Sequence, residues 1–234
     1  MPKSSAIKEE PNQIAPIKRG SIDTVFMQIK TMMYNQQLAP GQKLIYQDLA
    51  RRLKISTTPI LQALHRLENA KLVRYEQNKG FFVAEITETE ARELYEAREA
   101  LEIYLIPFLI ERMTKESIEK IRDSFRAQNE ANTPNYRGKL MLTDATFHMT
   151  IAKGSGNQVV VDLLETVMER IYLKYRSEYI DEERIAKVLK DHREILKALS
   201  AKNKDKAIQL TRDHIRSGMN YMIGSLKNRR LASL

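Results

Sequence analysis

Residues 45–87 read IYQDLARRLKISTTPILQALHRLENAKLVRYEQNKGFFVAEIT, and this stretch decides the fold of the N-terminal part of the chain. Its first half carries two apolar stripes at helical spacing, which predict two short helices. Ser56 or Thr57 can cap the second helix, and Pro59 falls in its first turn, where a missing N–H costs nothing. The stripes consist of Leu49, Ala50 and Leu53 in the first helix and of Ile60, Ala63, Leu64 and Leu67 in the second.

The second half of the stretch favours a β-hairpin. Two β-rich runs, 72–75 and 81–86, flank the polar sequence QNKG, whose glycine suits a tight turn. Helix, turn, helix and hairpin together are the outline of a winged helix-turn-helix. In that fold the second helix enters the major groove of DNA and the hairpin tip touches the backbone or the minor groove. A protein-interaction module with the same outline is the alternative.

Charge is distributed unevenly between this region and the rest of the chain. The net charge of the 234 residues is +9, and residues 18–86 contribute +6 of it, from 11 Lys/Arg and 5 Asp/Glu. Residues 87–234 contain 26 Lys/Arg and 23 Asp/Glu, so their charges nearly balance. A basic module beside a nearly neutral one indicates a nucleic-acid reader joined to a second domain.

The basic module resembles the DNA-binding domain of the GntR family of bacterial transcription regulators. The resemblance rests on the pattern LAxxLxISTTPxxxALxRLExxxLV followed by NKGFFV, and on LAPGQKL at residues 38–44, which fits the loop after the first helix. This chain departs from the family pattern at positions where family members usually have arginines that contact DNA. Thr57 and Leu61 occupy two of these positions, and Lys79 replaces the arginine of the hairpin tip. The resemblance therefore implies the fold but not the operator sequence.

These departures change the expected contacts with DNA. Arginine is the usual bidentate reader of guanine, so threonine and leucine shift the contacts toward phosphates and thymine methyl groups. For Arg66 the alternative is a solvated salt-bridging residue. The residues that we expect to contact a double-stranded operator are Thr57, Thr58, Arg66, Lys79 and Gly80, with Gln47 and His65 as further candidates.

The second module reads as helices throughout. Thr87 and Glu90 form a capping-box pattern at the start of a long helix. Further helices are predicted at 115–131, 140–152, 158–179, 182–199 and 205–228, with no alternating strand pattern to compete. The sequence thus predicts a mainly α protein: a flexible tail at 1–17, a winged helix-turn-helix domain at 18–86 and an antiparallel all-α helical bundle at 87–228.

Three of the four histidines of the chain lie in this bundle, each on an apolar helix face. His148 follows Asp144 by one helical turn, so both side chains point to the same side, while His192 and His214 occupy the inward faces of two later helices. Each histidine alone is compatible with a core residue bonded to a carbonyl. Together the four groups need buried partners, and one metal ion would satisfy them all.

The same residues support a second resemblance, to the C-terminal ligand-sensing FCD domain of FadR-type GntR regulators. It rests on Asp-x3-His, the SGN that follows, DHREILKAL and a late DHI. The resemblance implies metal ligands at Asp144, His148, His192 and His214, and it places Arg98 where a small carboxylate effector would bind. A surface ion pair between Arg98 and Glu102 is the alternative for that arginine.

Donor chemistry narrows the expected ion. Three imidazoles and one carboxylate suit Zn²⁺, Ni²⁺, Mn²⁺ or Fe²⁺ and do not form the oxygen cage that Ca²⁺ prefers. Four protein donors leave two positions open if the ion is octahedral, so a small organic acid can complete the shell. A guanidinium such as that of Arg98 is suited to a carboxylate.

Composition sets the remaining expectations. The chain has no cysteine, no secretory pattern at its start and no run of about 18 apolar residues, so we expect no membrane span and a cytoplasmic location. The expected protein is a homodimeric, metabolite-responsive regulator of transcription, most simply a repressor. There are two alternatives: a metal-dependent enzyme with an appended basic domain, and a regulator with a purely structural metal. The enzyme is disfavoured because the sequence places no further Glu or His as a general base near the four ligands.

Overall fold

The computed structural model describes residues 21–131 and 137–232 of the chain. The N-terminal elements within this range are α1 (Ile22–Tyr34), β1 (Lys43–Leu44), α2 (Tyr46–Leu53), α3 (Thr57–Asn69), β2 (Val73–Glu76) and β3 (Gly80–Val83), which together we call the winged domain. The predicted flexible tail at 1–17 lies outside the described residues.

The two-helix unit follows from local chemistry. Lys54 ends α2 in the left-handed conformation (φ 58°), which turns the chain sharply toward α3. Ser56 is the N-cap of α3, and Pro59 sits in the first turn as predicted. The predicted stripe Ile60, Ala63, Leu64 and Leu67 is the buried face of α3.

The hairpin is part of a three-stranded antiparallel sheet with strand order β1-β3-β2. Gly80 has a φ of +91° at the turn, a conformation that glycine adopts without steric cost. Strand β1 pairs Lys43 with Phe82 and Leu44 with Phe81. The sequence predicts a loop here, because a two-residue strand is too short to show an alternating pattern.

Six helices form the helical bundle: α4 (Glu88–Arg112), α5 (Lys115–Glu130), α6 (Arg137–Lys153), α7 (Gln158–Lys174), α8 (Glu182–Ser200) and α9 (Lys204–Ala232). Helix α4 packs against α6, α7 and α9, and α5 packs against α6 and α8. Helix α7 was predicted to reach residue 179, but it ends at Lys174, and a short 3₁₀ turn, Ser177–Tyr179, follows. None of the described helices has the length and apolar character needed to cross a membrane.

The capping box predicted at the start of α4 forms only in part. Thr87 is the N-cap and accepts a hydrogen bond from the Glu90 N–H at 3.2 Å. The Glu90 side chain does not return this bond but accepts hydrogen bonds from Lys174 and Arg170 of α7. Two cations on a neighbouring helix attract this carboxylate more strongly than one backbone N–H does, and their charges lower the pKa of Glu90 although burial alone would raise it.

The end of α7 joins the bundle to the winged domain. Leu173 is 2% exposed and packs in the core of the winged domain, with Val25, Ile29 and Phe81 among the members of that core. The backbone carbonyl of Lys174 accepts a hydrogen bond from the Ile86 N–H at 3.1 Å. The two domains therefore share buried contacts at this point in addition to the chain connection between β3 and α4.

Candidate metal centre and DNA-reading face

Helices α6, α8 and α9 bring the four predicted ligands together in the bundle interior. Asp144 and His148 lie one turn apart on α6, His192 is on α8 and His214 is on α9. One ligand atom from each residue lies within 4.8 Å of those of the other three. All three histidines are buried, with 3% exposure or less. We call these four residues the ligand cluster.

The far side of each imidazole ring is held by an oxygen acceptor. Nδ1 of His148 lies 2.7 Å from Oε2 of Glu102, and Nδ1 of His192 lies 2.6 Å from Oε1 of Gln128. Nδ1 of His214 faces Oδ2 of Asp191 at 3.4 Å. Amide and carboxylate oxygens accept hydrogen bonds, so each Nδ1 carries the hydrogen and donates. Each Nε2 is then left as a lone-pair donor.

These three lone pairs converge. Nε2 of His192 lies 3.1 Å from Nε2 of His148 and 3.2 Å from Nε2 of His214. Burial lowers the pKa of His214 to about 4 and that of His192 well below 6.5, so both rings are neutral near pH 7. Neutral rings with converging lone pairs repel one another unless a cation lies between them. The donor set fits a divalent transition metal, with outer acceptors that orient each ring as metal-bound histidines require.

Asp144 completes the cluster from a fixed position. Its Oδ1 lies 3.6 Å from Nε2 of His192 and its Oδ2 lies 3.9 Å from Nε2 of His148. Gln128 donates a hydrogen bond to Oδ1 at 3.0 Å, and the Tyr172 hydroxyl donates one to Oδ2. Burial alone would raise the pKa of Asp144, but the positive charge of Arg98 and the hydrogen bond from Tyr172 lower it, so the carboxylate is ionised.

A cavity adjoins the ligand cluster, and Arg98 lies in its wall together with Asp144 and His214. Arg98 is 2% exposed, and its Nε donates to Oε1 of Glu102 at 2.6 Å, so the ion pair that the sequence allowed does form. That pair is buried and not on the surface. The remaining terminal nitrogen, Nη2, is buried and has no hydrogen-bond partner among the described residues. An unpaired guanidinium N–H in a buried site is a donor for an anionic ligand.

Glu102 connects the arginine to the cluster. It accepts from Arg98 with one oxygen and from His148 with the other, and it is itself 4% exposed. Burial would raise the pKa of Glu102, but the hydrogen bonds from His148 and Arg98 and the positive charge of Arg98 lower it to about 2. The carboxylate therefore stays ionised, which balances part of the charge of Arg98 and fixes the His148 ring.

The groups that hold the ligands carry no signal in the sequence. Gln128 lies on α5, outside every motif, and only its complete burial distinguishes it from the polar residues around it. Tyr172 and Asp191 carry no spacing signal toward the cluster, because each acts across helices. Asp191 precedes His192 in the chain yet contacts His214. Arg184 is also in the cavity wall and was not predicted.

The face of the winged domain that the sequence predicts to contact DNA is exposed, and we call it the DNA-reading face. Thr57 and Thr58 lie in the first turn of α3, where N–H groups and the helix dipole favour phosphate. Between α2, α3 and the hairpin runs a groove whose lining includes four of the predicted residues, Gln47, His65, Lys79 and Gly80. The structure thus places six of the seven candidates at the start of α3 or along this groove.

Arg66, the seventh candidate, has other partners. Its guanidinium forms an ion pair with Asp23 of α1 and lies 4.4 Å from the centre of the Phe26 ring. Its side chain is half exposed. This is the salt-bridging role that the sequence left open, and it draws the side chain toward α1.

Comparisons with known proteins cover nearly all of the described chain. The model of the gntR family of bacterial regulatory proteins matches residues 21–83, and the FCD domain model matches residues 93–217. The HTH-type transcriptional regulator YdhC of Bacillus subtilis is 24% identical over 204 residues, which are 87% of this chain and 89% of that protein. The Nta operon transcriptional regulator of Aminobacter aminovorans is 29% identical over 140 residues, 60% of this chain and 66% of that protein.

Solved structures show the same architecture. McbR/YncC of Escherichia coli superposes with a TM-score of 0.75 at 20% identity, covering 86% of this chain and 96% of that one. A GntR transcriptional regulator structure from Rhodococcus sp. RHA1 gives a TM-score of 0.76 at 20% identity, covering 87% and 97%. At this identity the likeness establishes the fold alone.

Proposed function

The chain belongs to the GntR family of bacterial regulators with an FCD domain and is a DNA-binding regulator of transcription, and we propose that a divalent metal and a small carboxylate effector in its bundle control operator binding. One observation carries the proposal. Three imidazole lone pairs and one carboxylate converge beside a cavity that also holds a buried, unpaired guanidinium N–H.

The chemistry assigns a role to each residue. Asp144, His148, His192 and His214 would hold Zn²⁺, Ni²⁺, Mn²⁺ or Fe²⁺, whose open positions attract a carboxylate. Nη2 of Arg98 would donate to the same ligand, while Nε of Arg98 stays on Glu102. The outer acceptors Glu102, Gln128 and Asp191 keep the rings in the tautomer that binds metal.

The end of α7 offers a route from this site to the DNA-binding part of the protein. Tyr172 donates to Asp144 and lies 3.5 Å from Nη1 of Arg98, so it touches both the ligand cluster and the proposed effector anchor. The next residue, Leu173, packs in the core of the winged domain, and the carbonyl of Lys174 accepts from Ile86. An effector that shifts Tyr172 would therefore shift a segment that supports the winged domain.

The assembly that we propose is a homodimer. The winged domain, residues 18–86, would read one half of a symmetric operator, and the bundle, residues 87–228, would bind the effector and hold two copies together. The DNA contacts that we propose are Thr57, Thr58, Gln47, His65, Lys79 and Gly80, with Arg66 limited to phosphate contact if it leaves Asp23. Repression is the simplest outcome, with release on effector binding.

The proposal is tested in two steps on the full chain. Elemental analysis of purified protein measures metal content, and a thermal-shift panel of small carboxylates on metal-loaded protein identifies ligands. A duplex selected from a random-sequence library then serves in a DNA-release assay with each hit. We expect stoichiometric metal, stabilisation by at least one acid and altered DNA affinity. Stabilisation by metal alone, with no response to any carboxylate, would contradict effector sensing and favour a structural metal.

A further inference from the structure

The cavity beside the ligand cluster has two chemically different ends. One end presents Asp144, His214, Gln128 and Arg98. The rest of the wall is largely apolar. Five aliphatic side chains line the part that we call the aliphatic end, and they are Met141, Ile180, Ile185, Val188 and Met222. The wall also includes the side chains of Tyr95, Tyr172, Tyr175, Tyr221 and Arg184. The cavity offers about 70 Å³ to the centres of water molecules, which is room for several waters, and it is open to solvent.

Two polar side chains near the aliphatic end, Tyr221 and Arg184, already have partners. The Tyr221 hydroxyl donates to the backbone carbonyl of Tyr179 at 2.8 Å and accepts from the Asp181 N–H at 3.0 Å. Nη1 of Arg184 donates to Oγ of Ser217 at 3.0 Å, and the guanidinium lies 5.4 Å from the centre of the Tyr221 ring. Ligand hydroxyls that enter this end would lose water without gaining equivalent partners, which is costly.

We propose that the effector is a monocarboxylate with an apolar body, and that the aliphatic end of the cavity selects it over polyhydroxylated acids of the same length. This inference rests on the proposed function, because the carboxylate is placed at the metal and Arg98. The aliphatic end then buries the body of the ligand, and each buried methylene adds to affinity. A hydroxyl on the same carbon removes that gain and adds a desolvation cost.

Three acids of six carbons form a matched test on the metal-loaded full chain. Hexanoate has one carboxylate and an apolar body, gluconate has one carboxylate and five hydroxyls, and adipate has a second carboxylate. Isothermal titration calorimetry measures each dissociation constant. We expect hexanoate to bind at least about tenfold more tightly than gluconate, since one uncompensated hydroxyl costs more than 1.4 kcal/mol.

The other possible results of this titration contradict either the inference or the proposed function. Equal or tighter binding of gluconate would overturn the apolar-body inference and leave the carboxylate proposal standing. Tighter binding of adipate would also overturn it and would assign Arg184 to a second carboxylate. No heat with hexanoate, gluconate, adipate or acetate would contradict the proposed effector function itself.

A pair of variants tests the wall directly. Val188 is half-buried at the cavity, whereas Val159 is 72% exposed on α7. Val188→Ala should weaken hexanoate binding by about tenfold, as expected for the loss of two buried methyl groups, while acetate, which has no alkyl chain to bury, should lose much less. Val159→Ala should leave the affinities for hexanoate and acetate unchanged. Unchanged hexanoate affinity in Val188→Ala would show that the ligand body lies elsewhere.

Discussion

The ligand cluster and the DNA-reading face differ in how firmly the fold holds their side chains. In the cluster all three histidines are buried, and each ring is fixed by an acceptor on a neighbouring helix. On the DNA-reading face Thr57, Thr58 and Lys79 are exposed, and the N-cap Ser56 makes no side-chain capping bond. We therefore expect substitution in the cluster to change metal binding together with stability, and substitution on the DNA-reading face to change DNA affinity alone.

The largest effect is expected when a ligand is removed from the cluster. His192→Ala takes away the ring whose Nε2 lies within 3.2 Å of both other histidine Nε2 atoms. We expect loss of stoichiometric metal by elemental analysis, because three remaining donors hold a divalent ion far less tightly. His65→Ala, in the winged domain, is the matched control and should keep its metal. A His192→Ala protein with native circular dichroism and full metal content would refute the four-ligand assignment.

A second large effect is expected where the two regions meet. Leu173→Ala empties a buried position that lies on α7 but packs in the core of the winged domain. We expect the free energy of unfolding, measured by urea titration, to fall by about 2–5 kcal/mol. Leu163, on the same helix, is 54% exposed, and its change to alanine should cost at most about 0.5 kcal/mol. Equal costs for the two variants would mean that α7 does not support the winged domain.

An intermediate effect on metal affinity is expected when a residue that orients the ligands, and not a ligand itself, is replaced. Gln128→Leu keeps the volume of a fully buried side chain but removes its bonds to His192 and Asp144. We expect metal affinity to fall by about 10–100-fold, as for other outer-shell partners, with metal still bound at saturating concentration. Competition with a fluorescent chelator measures the affinity. Gln209→Leu, at an exposed position of α9, is the control, and an unchanged affinity in Gln128→Leu would remove Gln128 from the site.

Local sequence pattern predicts some features of the candidate site and not others. Helical periodicity identified the faces that carry His148, His192 and His214, because a helix repeats every 3.6 residues and its inward face is apolar. It did not find Gln128 or Tyr172, since their roles depend on which helices become neighbours. The sequence of residues 43–44 predicts a loop, because strand β1 forms only through its pairing with β3. Local pattern therefore predicts elements and inward faces, while contacts between distant elements need the folded chain.

The smallest effect is expected at the hairpin tip, where stability should not change. The Lys79 side chain is 71% exposed and its ion pair with Glu76, at 3.1 Å, is on the surface, so it contributes little to folding. Lys79→Ala should weaken binding to all duplexes similarly and reduce the slope of log affinity against log salt by about 1, because one phosphate contact is lost. Fluorescence anisotropy across a salt series measures the slope. Lys120→Ala, equally exposed on α5, should leave the slope unchanged. If Lys79→Ala retains the full slope, the hairpin tip does not touch phosphate, and the DNA-reading face is limited to α3 and the groove beside it.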